Sequence, residues 1–276
     1  MLINLTDYPI DTPGPILDAV ISGIQDQLAE DGCAVLRGFL TAEGIAAMVV
    51  EADQVAGKAH RSFNRTNPYF TEDDPTLPDD HPKRQFFDRS NAFVPADNFR
   101  PDGPLRRVND HPGFDDFIRR CLCEPEDRFF RYADPLADAI VNLAEAGPGF
   151  PWHFDTNNFT VTLAIQNADV GGAFEYAPGI RDGAENFGEV ARVLAGTSDK
   201  VRRLDLQPGD LQLFRGRYSL HRVAPLEGQT PRYVAILSYV EEPGMVATPE
   251  RARQLYGRAL PIHFERAGRR ADSYID

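Results

Sequence analysis

Residues 151–166, PWHFDTNNFTVTLAIQ, have the pattern of two short β-strands rich in aromatic and β-branched residues. Side chains two positions apart in a strand point to the same face. His153 and Asp155 can therefore project into one cavity while Phe154 points away. This stretch combines a sheet-forming pattern with two candidate metal ligands.

Similar segments occur from about residue 128 to residue 241. They are FFRYAD, DAIVNLAEAG, GGAFEYAP, KVRRLDL, GDLQLFRG, YSLHRVAPL and PRYVAILSYV. Gly-Pro, Gly-Gly, Pro-Gly-Asp and Glu-Gly sequences separate them, as expected for turns. Many short strands joined by turns predict an antiparallel sandwich or jelly roll. The predicted fold class is therefore mainly β with flanking helices.

Helices are predicted before this core. Apolar residues recur at helical spacing from Ile16 onward, and Gly32 is a suitable helix end. The sequence CAVLRGFL (33–40) fits a buried strand, and Thr41 is a suitable N-cap for a second helix. Residues 1–60 are therefore expected to form a helical N-terminal layer.

Residues 61–112 differ from the rest of the chain. They are rich in Pro, Asp, Asn and aromatic residues and show little periodicity. A long irregular segment inside a compact domain is usually a functional lid or binding loop, or else disordered. The many aromatic residues, Phe63 and Phe93 among them, argue against disorder. We therefore expect a lid.

The whole chain, 1–276, is expected to form a single domain. Its 276 residues can enclose one sizeable core, and no internal repeat or low-complexity linker divides them. Residues 128–241 are the predicted jelly-roll core. Residues 242–276 are expected to hold a C-terminal helix at about 248–258 and a polar tail that contains His263.

Composition narrows the possible partners. Lysine and arginine number 29 against 42 aspartate and glutamate residues, a net charge of −13 without a concentrated basic stretch. This balance disfavours nucleic acids and anionic membranes as partners. The oligomeric state is left open.

Cysteine content and the absence of apolar runs predict a cytoplasmic protein. Cys33, Cys121 and Cys123 form neither an even disulfide framework nor a zinc motif, so we expect reduced thiols. The N-terminus lacks the basic start and apolar core of a signal peptide. No apolar run approaches the ~20 residues of a membrane span.

A second histidine completes a candidate metal site. His221, in RYSLHRV, lies 66 residues beyond Asp155, in a strand that a jelly roll can bring beside the first. Two imidazoles and one carboxylate can bind one face of Fe(II) and leave other positions open. The His-x-Asp pair alone is a weak indication, since ordinary surface residues produce it too. With His221 and the arginine described next, it indicates a metal held by His153, Asp155 and His221.

An arginine follows the second histidine. Arg232, in TPRYVAI, shares a strand face with Val234, Ile236 and Ser238, which we place toward the cavity. In isolation Arg232 also fits a solvated edge residue. On a buried apolar face it needs an anion, because an uncompensated buried charge is costly. Its planar fork suits a carboxylate such as that of 2-oxoglutarate.

These residues resemble those of the Fe(II)/2-oxoglutarate-dependent oxygenases. The resemblance covers the His-Phe-Asp motif, His221 after PGDLQLFRGRYSLH, and Arg232 on the following strand, over about residues 128–241. It implies a double-stranded β-helix, the cupin-like form of the jelly roll. The stretches PWHFDTNNFTVTLAIQ and GGAFEYAPGIR resemble more narrowly the branch of hydroxylases and halogenases that act on free amino acids.

The resemblance implies a dioxygenase with Fe(II) held by His153, Asp155 and His221, and with 2-oxoglutarate and O2 as co-substrates. Arg232 would pair with the distal carboxylate of 2-oxoglutarate, and succinate and CO2 would be released. Halogenases of this branch lack the carboxylate ligand, so the retained Asp155 favours hydroxylation of an unactivated C–H bond. Desaturation or oxidative cyclisation uses the same ligands and stays open.

Six polar side chains are candidates for contacts with the two small molecules. The candidates for an amino-acid substrate are Arg89, Asn91, Asp134 and Asn157. The candidates for 2-oxoglutarate are Thr162 and Asn142. Arg89 beside Asn91 suits a carboxylate, and Asp134 suits an ammonium group. Structural ion pairs, turns or caps would explain the substrate candidates equally well.

Two other classes of protein fit part of the pattern. In a cupin-type metal enzyme that does not use 2-oxoglutarate, Arg232 would bind the substrate itself. In a non-catalytic sandwich, a ligand-binding or interaction module, the metal site would be vestigial. Turnover without 2-oxoglutarate would favour the first class, and failure to bind Fe(II) would favour the second.

Overall fold

The structure of the chain is a computed structural model, which describes residues 1–61, 65–266 and 273–275. The α-helices of these residues are α1 (Pro15–Asp31), α2 (Ala42–Val55), α3 (Pro104–Asn109), α4 (Phe114–Cys121), α5 (Phe187–Leu194), α6 (Pro249–Tyr256) and α7 (Pro261–Arg266). No helix in this part of the chain is long and apolar enough to cross a membrane.

Fifteen strands form the β structure of the described residues. They are β1 (Cys33–Leu36), β2 (Arg65–Thr66), β3 (Phe87–Asp88), β4 (Asn91–Val94), β5 (Phe130–Arg131), β6 (Ala139–Ala144), β7 (Phe150–His153), β8 (Phe159–Gln166), β9 (Val170–Gly171), β10 (Phe174–Ala177), β11 (Arg202–Leu204), β12 (Leu211–Phe214), β13 (Leu220–Val223), β14 (Leu226–Glu227) and β15 (Arg232–Val240).

Two antiparallel sheets make up the core. The larger sheet has the order β1-β12-β8-β15-β6-β4, with β5 also paired to β15, and the smaller has the order β11-β10-β13-β7. The pairs β9–β14 and β2–β3 are separate two-stranded ribbons. The mainly β jelly roll with flanking helices that the sequence predicts is confirmed.

Alternate side chains along a strand point to the apolar core on one face and to a cavity between the sheets on the other. In β15, Tyr233, Leu237 and Tyr239 pack into the main core with apolar residues of α1, α2 and α4. The intervening residues line the cavity, and they are Arg232, Val234, Ile236 and Ser238. Side chains alternate between the two faces of a strand, so the register of β15 fixes both its core-facing and its cavity-facing residues. The face predicted for Arg232 is confirmed.

The predicted helix ends at Gly32 and Thr41 are confirmed, and a further cap begins the predicted C-terminal helix. Gly32 ends α1 in the left-handed conformation, with φ 68°. The Thr41 hydroxyl accepts a hydrogen bond from Gly44 N at 3.0 Å and begins α2. The Thr248 hydroxyl accepts one from Arg251 N at 3.2 Å and begins α6. Such caps depend on residues close in sequence, which is why the sequence reveals them.

The segment predicted to be a lid is only partly irregular. Its β4 strand pairs with β6 and forms one edge of the larger sheet, and its α3 packs against α2. Residues 62–64, and with them the predicted aromatic residue Phe63, lie outside the described residues. The lid role of the remaining part stays a prediction.

The C-terminal tail, which the sequence predicts to be polar, contains a buried histidine. His263 lies in α7 and is fully buried. Its Nδ1 accepts from Leu260 N at 2.9 Å, and its Nε2 lies 3.1 Å from Asp134 Oδ1. The rest of the predicted tail, residues 267–272 and 276, lies outside the described residues.

Asp134 has structural partners instead of the predicted substrate ammonium. Besides His263, its two carboxyl oxygens accept from Leu136 N at 2.8 Å and from Ala247 N at 3.0 Å. The side chain is fully buried and does not line the cavity. The expectation that Asp134 faces the substrate is therefore corrected: it ties α7 and the segment before α6 to the core.

Replacing Asp134 with alanine is expected to lower the free energy of unfolding by about 3 kcal/mol, because three buried donors lose their acceptor. Urea denaturation of Asp134→Ala measures this change. Asp199→Ala is the matched control, since that side chain is 89% exposed and its loss is expected to change stability by less than about 0.5 kcal/mol. Equal denaturation midpoints for the two variants would contradict the structural role.

Candidate metal centre

The smaller sheet brings the three predicted ligands together. β7 and β13 pair so that His153 and His221 are direct cross-strand partners. Asp155 Oδ1 lies 3.6 Å from His153 Nε2 and 3.4 Å from His221 Nε2. The three ligand atoms lie within 4.8 Å of one another, so one ion can contact all of them. They form the only such group among the described residues.

Both imidazoles are oriented by backbone carbonyls. Nδ1 of His153 donates to Pro151 O at 2.8 Å, and Nδ1 of His221 donates to Ser219 O at 2.8 Å. A carbonyl only accepts, so the proton lies on Nδ1 and the Nε2 lone pair is left for the metal. The two histidines thus have the same tautomer.

The Asp155 carboxylate is positioned by the side chain of Thr160, which Asn157 in turn holds in place. Thr160 Oγ1 donates to Asp155 Oδ2 at 2.5 Å, which leaves Oδ1 directed toward the histidines. Asn157 Nδ2 in turn donates to Thr160 Oγ1 at 3.0 Å and to Phe159 O at 2.8 Å. Asn157 also lines the cavity, so its predicted contact with substrate stays a prediction beside this positioning role.

The protonation states suit metal binding at neutral pH. Burial lowers the pKa of His153 well below its usual value, and the neighbouring His221 lowers it further. Burial raises the pKa of Asp155, but its interactions with His221, His153 and Thr160 outweigh this and lower the pKa to about 2. A neutral imidazole and an ionised carboxylate are the forms that bind a metal.

A glycine leaves room for the carboxylate. A Cβ atom at Gly216 would lie 2.1 Å from Asp155 Oδ2 and 2.3 Å from Thr160 Oγ1. We expect Gly216→Ala to displace the carboxylate and weaken Fe(II) binding by roughly 10- to 100-fold, the usual cost of disturbing the groups that support a metal ligand. Anaerobic Fe(II) titration measures this change. Gly188→Ala is the control, since its Cβ meets nothing within 4 Å; equal affinities would contradict the expectation.

The three ligands and Arg232 face one cavity of about 100 Å³, which has room for several water molecules. Arg232 is 5% exposed. Its pKa is lowered to about 10 by burial, the only influence on it, so it stays charged at neutral pH. None of the described residues forms an ion pair or a hydrogen bond with its guanidinium group. A buried cation of this kind requires an anion from solution.

The other predicted residues lie at or behind the cavity wall. Thr162 and Asn142 line the cavity, and Thr162 Oγ1 donates to Gln212 Oε1 at 2.7 Å. Asn91 Nδ2 donates to Asn142 Oδ1 at 3.2 Å, and Arg89 Nε donates to Asn91 Oδ1 at 2.9 Å. Arg89 and Asn91 therefore support the cavity from outside its described lining. Their predicted direct contact with substrate stays a prediction.

Sequence reasoning missed several residues that the site depends on. They are Phe70, Thr160, Gln212, Gly216 and Arg251. Thr160 and Gln212 carry a detectable signal, because each is a polar residue on the inward face of a buried, mainly apolar strand. Phe70 and Arg251 carry none, because their positions depend on contacts between distant segments.

Comparisons with known proteins agree with this arrangement. The family model of halogenase D matches residues 131–253, which is less than half of the chain and includes all three ligands and Arg232. No curated protein sequence matches the chain significantly.

Solved structures with the same fold include several oxygenases. The non-haem α-ketoglutarate-dependent epimerase SnoN from nogalamycin biosynthesis has a TM-score of 0.57 and 16% identity, covering 81% of this chain and 82% of SnoN. A 2OG-Fe(II) oxygenase family oxidoreductase from Burkholderia pseudomallei has a TM-score of 0.53 and 12% identity, covering 84% and 93%. AviO1 from Streptomyces viridochromogenes has a TM-score of 0.54 and 18% identity, covering 83% and 97%.

Likeness at these identities shows the fold, and SnoN has also been solved in complex with Fe3+ and α-ketoglutarate. The His-Asp-His group of this chain fits such an iron site by its donor atoms and their spacing. The chain therefore has the double-stranded β-helix fold of the 2-oxoglutarate- and Fe(II)-dependent oxygenases.

Proposed function

We propose that this protein is a non-haem dioxygenase that uses Fe(II), 2-oxoglutarate and O2. The observation that carries the proposal is Arg232, a buried cation without an anionic partner among the described residues, facing the same cavity as the ligand group. His153, Asp155 and His221 would hold the iron, and Arg232 would hold the distal carboxylate of 2-oxoglutarate. Iron and co-substrate supply the oxygen activation when bound, and succinate and CO2 are released.

The remaining lining would position the co-substrate and exclude water. Val234 and Ile236 form an apolar wall beside Arg232, on the same strand face. Phe150 stacks on the His153 ring with centroids 3.7 Å apart and shields that side. Thr162 and Asn142 are our candidates for polar contacts with 2-oxoglutarate. A buried, largely apolar setting of this kind strengthens the pairing of Arg232 with a carboxylate.

We further propose that the reaction is hydroxylation of an unactivated C–H bond in a free amino acid or a similar small metabolite. Asp155 supports hydroxylation over halogenation, because its carboxylate occupies a ligand position that a halide would need. The structure of SnoN in complex with nogalamycin RO, a small molecule, supports a small-molecule substrate. Desaturation or oxidative cyclisation by the same ligands is the alternative outcome. A cytoplasmic location stays a prediction.

Two measurements on the wild-type protein test the proposal. Under anaerobic conditions, Fe(II) plus 2-oxoglutarate is expected to give a visible charge-transfer band. In air, a screen of amino acids is expected to reveal substrate-dependent succinate formation. A product heavier by one oxygen means hydroxylation, and a product lighter by two hydrogens means desaturation or cyclisation. An iron-loaded protein without the band would refute the use of 2-oxoglutarate, and turnover without it would favour the cupin-type alternative.

A further inference from the structure

A second arginine lies in the cavity, close to the metal ligands. Arg251, on α6, is 7% exposed and lines the same cavity as Arg232. Its guanidinium lies 4.6 Å from the centroid of the Phe70 ring. The Phe70 ring in turn lies 5.6 Å from the His153 ring. A single aromatic ring therefore separates this cation from a metal ligand.

Phe70 is held in an unusual backbone conformation. Its φ of 55° lies in the left-handed region, which is strained for a bulky residue. The loop is fixed by Asn67, a fully buried side chain that accepts from Tyr69 N at 3.0 Å and donates to Lys83 O at 2.6 Å. Backbone strain of this kind persists only where the surroundings enforce it, and it is common at ligand sites.

The same loop is tied to α6 beside the arginine. Gln254 Nε2 donates to Phe70 O at 3.3 Å, and Gln254 Oε1 accepts from Arg251 Nη1 at 2.6 Å. The Phe70 ring and the Arg251 guanidinium are thus fixed relative to each other by two different segments of the chain. Together they form a rigid wall with a charged part and an aromatic part.

The charges of the cavity favour an anionic substrate. Among the described lining residues, Asp155 is the only carboxylate, and it belongs to the metal site. The lining contains two arginines, and the proposed function uses only Arg232 for 2-oxoglutarate. Asp134, the predicted acceptor for an ammonium group, lies elsewhere. The cavity therefore offers a charged partner for a carboxylate but no carboxylate for an amine.

We propose that Arg251 binds the carboxylate of the primary substrate, while Phe70 packs against its carbon skeleton. This assignment rests on the proposed function. It makes the carboxylate the main recognition element, so that removing the substrate's amine should cost less affinity than converting its carboxylate to an amide.

The substrate side is tested on the wild-type protein. The probes are the proteinogenic L-amino acids, their carboxamides and their des-amino acids, each added to the anaerobic Fe(II)–2-oxoglutarate complex. For one side chain, the amino acid and the corresponding des-amino acid are both expected to shift the charge-transfer band and to start succinate release in air. The matching carboxamide is expected to need at least about 100-fold higher concentration. Carboxamides that are as effective as the acids would overturn the proposal.

The protein side is tested with Arg251→Gln and Arg251→Lys. Arg253→Gln is the matched control, because Arg253 is an exposed arginine of the same helix. Arg251→Gln is expected to keep its affinity for 2-oxoglutarate within about threefold and to raise the KM of the responding acid about 100-fold. Arg251→Lys keeps the charge without the bidentate fork. Its KM for the responding acid should lie between those of Arg251→Gln and the wild type.

Two results separate this proposal from the proposed function. Absence of the charge-transfer band in the wild type would refute the use of 2-oxoglutarate, not the role of Arg251 alone. A retained band in Arg251→Gln with an unchanged KM would overturn the role of Arg251. If Arg251→Gln fails to fold, Arg251→Lys and the acid–carboxamide comparison still decide between the outcomes.

Discussion

Replacing Arg232 with alanine is expected to weaken 2-oxoglutarate binding by roughly 100-fold or more while leaving Fe(II) binding unchanged. Loss of one member of a buried, hydrogen-bonded charge pair costs about 2–5 kcal/mol, and about 1.4 kcal/mol is tenfold in affinity. Titration of the anaerobic charge-transfer band with 2-oxoglutarate measures the change. Arg232→Lys is expected to fall between alanine and the wild type, since lysine keeps the charge but not the bidentate fork.

The control for the Arg232 variants is Arg203→Ala. Arg203 is an exposed arginine paired with Asp205, and its replacement is expected to leave the 2-oxoglutarate titration unchanged. Thermal stability is a second readout, and we expect it to increase when Arg232 is replaced, whereas 2-oxoglutarate affinity decreases. Without co-substrate, Arg232→Met is expected to raise the Tm, because a buried charge without a partner is replaced by an apolar side chain of similar length. Unchanged 2-oxoglutarate affinity in Arg232→Ala would show that this arginine does not hold the co-substrate.

Replacing His221 with alanine is expected to reduce Fe(II) affinity by at least about 100-fold and to abolish succinate formation. Disturbing only the groups that support a metal ligand already costs roughly 10- to 100-fold, so losing one of three ligands should cost more. His153 and Asp155 would remain, without the opposite strand's contribution to the site. Anaerobic Fe(II) titration and a succinate assay measure the two effects.

His111→Ala is the matched control for this variant. The His111 ring is hydrogen-bonded only to its neighbouring residue, at Pro112 O, in the described structure, and it does not line the cavity. We expect its iron binding and turnover to equal those of the wild type. If His221→Ala binds Fe(II) as tightly as this control, the ligand set is wrong and the metal lies elsewhere.

The sequence predicts the parts of the site that depend on short spacings and alternation. His153 and Asp155 are two residues apart in an extended segment, so their common face follows from strand geometry alone. The cavity face of Arg232 follows from the same rule applied to β15. Helix ends at Gly32 and Thr41 follow from local capping chemistry.

The parts that the sequence does not reveal depend on contacts between distant segments. Asp134 and His263 are 129 residues apart, and each has the local context of a turn or a polar tail. Arg251 lies in PERARQ, where three charged residues suggest a solvated helix face, yet its side chain is buried because α6 packs beside β4. The edge strand β4 lies in a polar segment, and pairing with β6 gives it its structure.

The space beside Asp155 has a consequence for which substitutions the chain can accept. The Asp155 carboxylate fills the volume that a side chain at residue 216 would occupy, so the two positions share one space. A methyl group at 216 should do less harm once residue 155 is shortened to alanine, because its close contact with Thr160 Oγ1 is then the one that remains. Mutations at the two positions are therefore non-additive, as expected for residues in direct contact. The residues tolerated at 216 depend on whether residue 155 is a metal ligand.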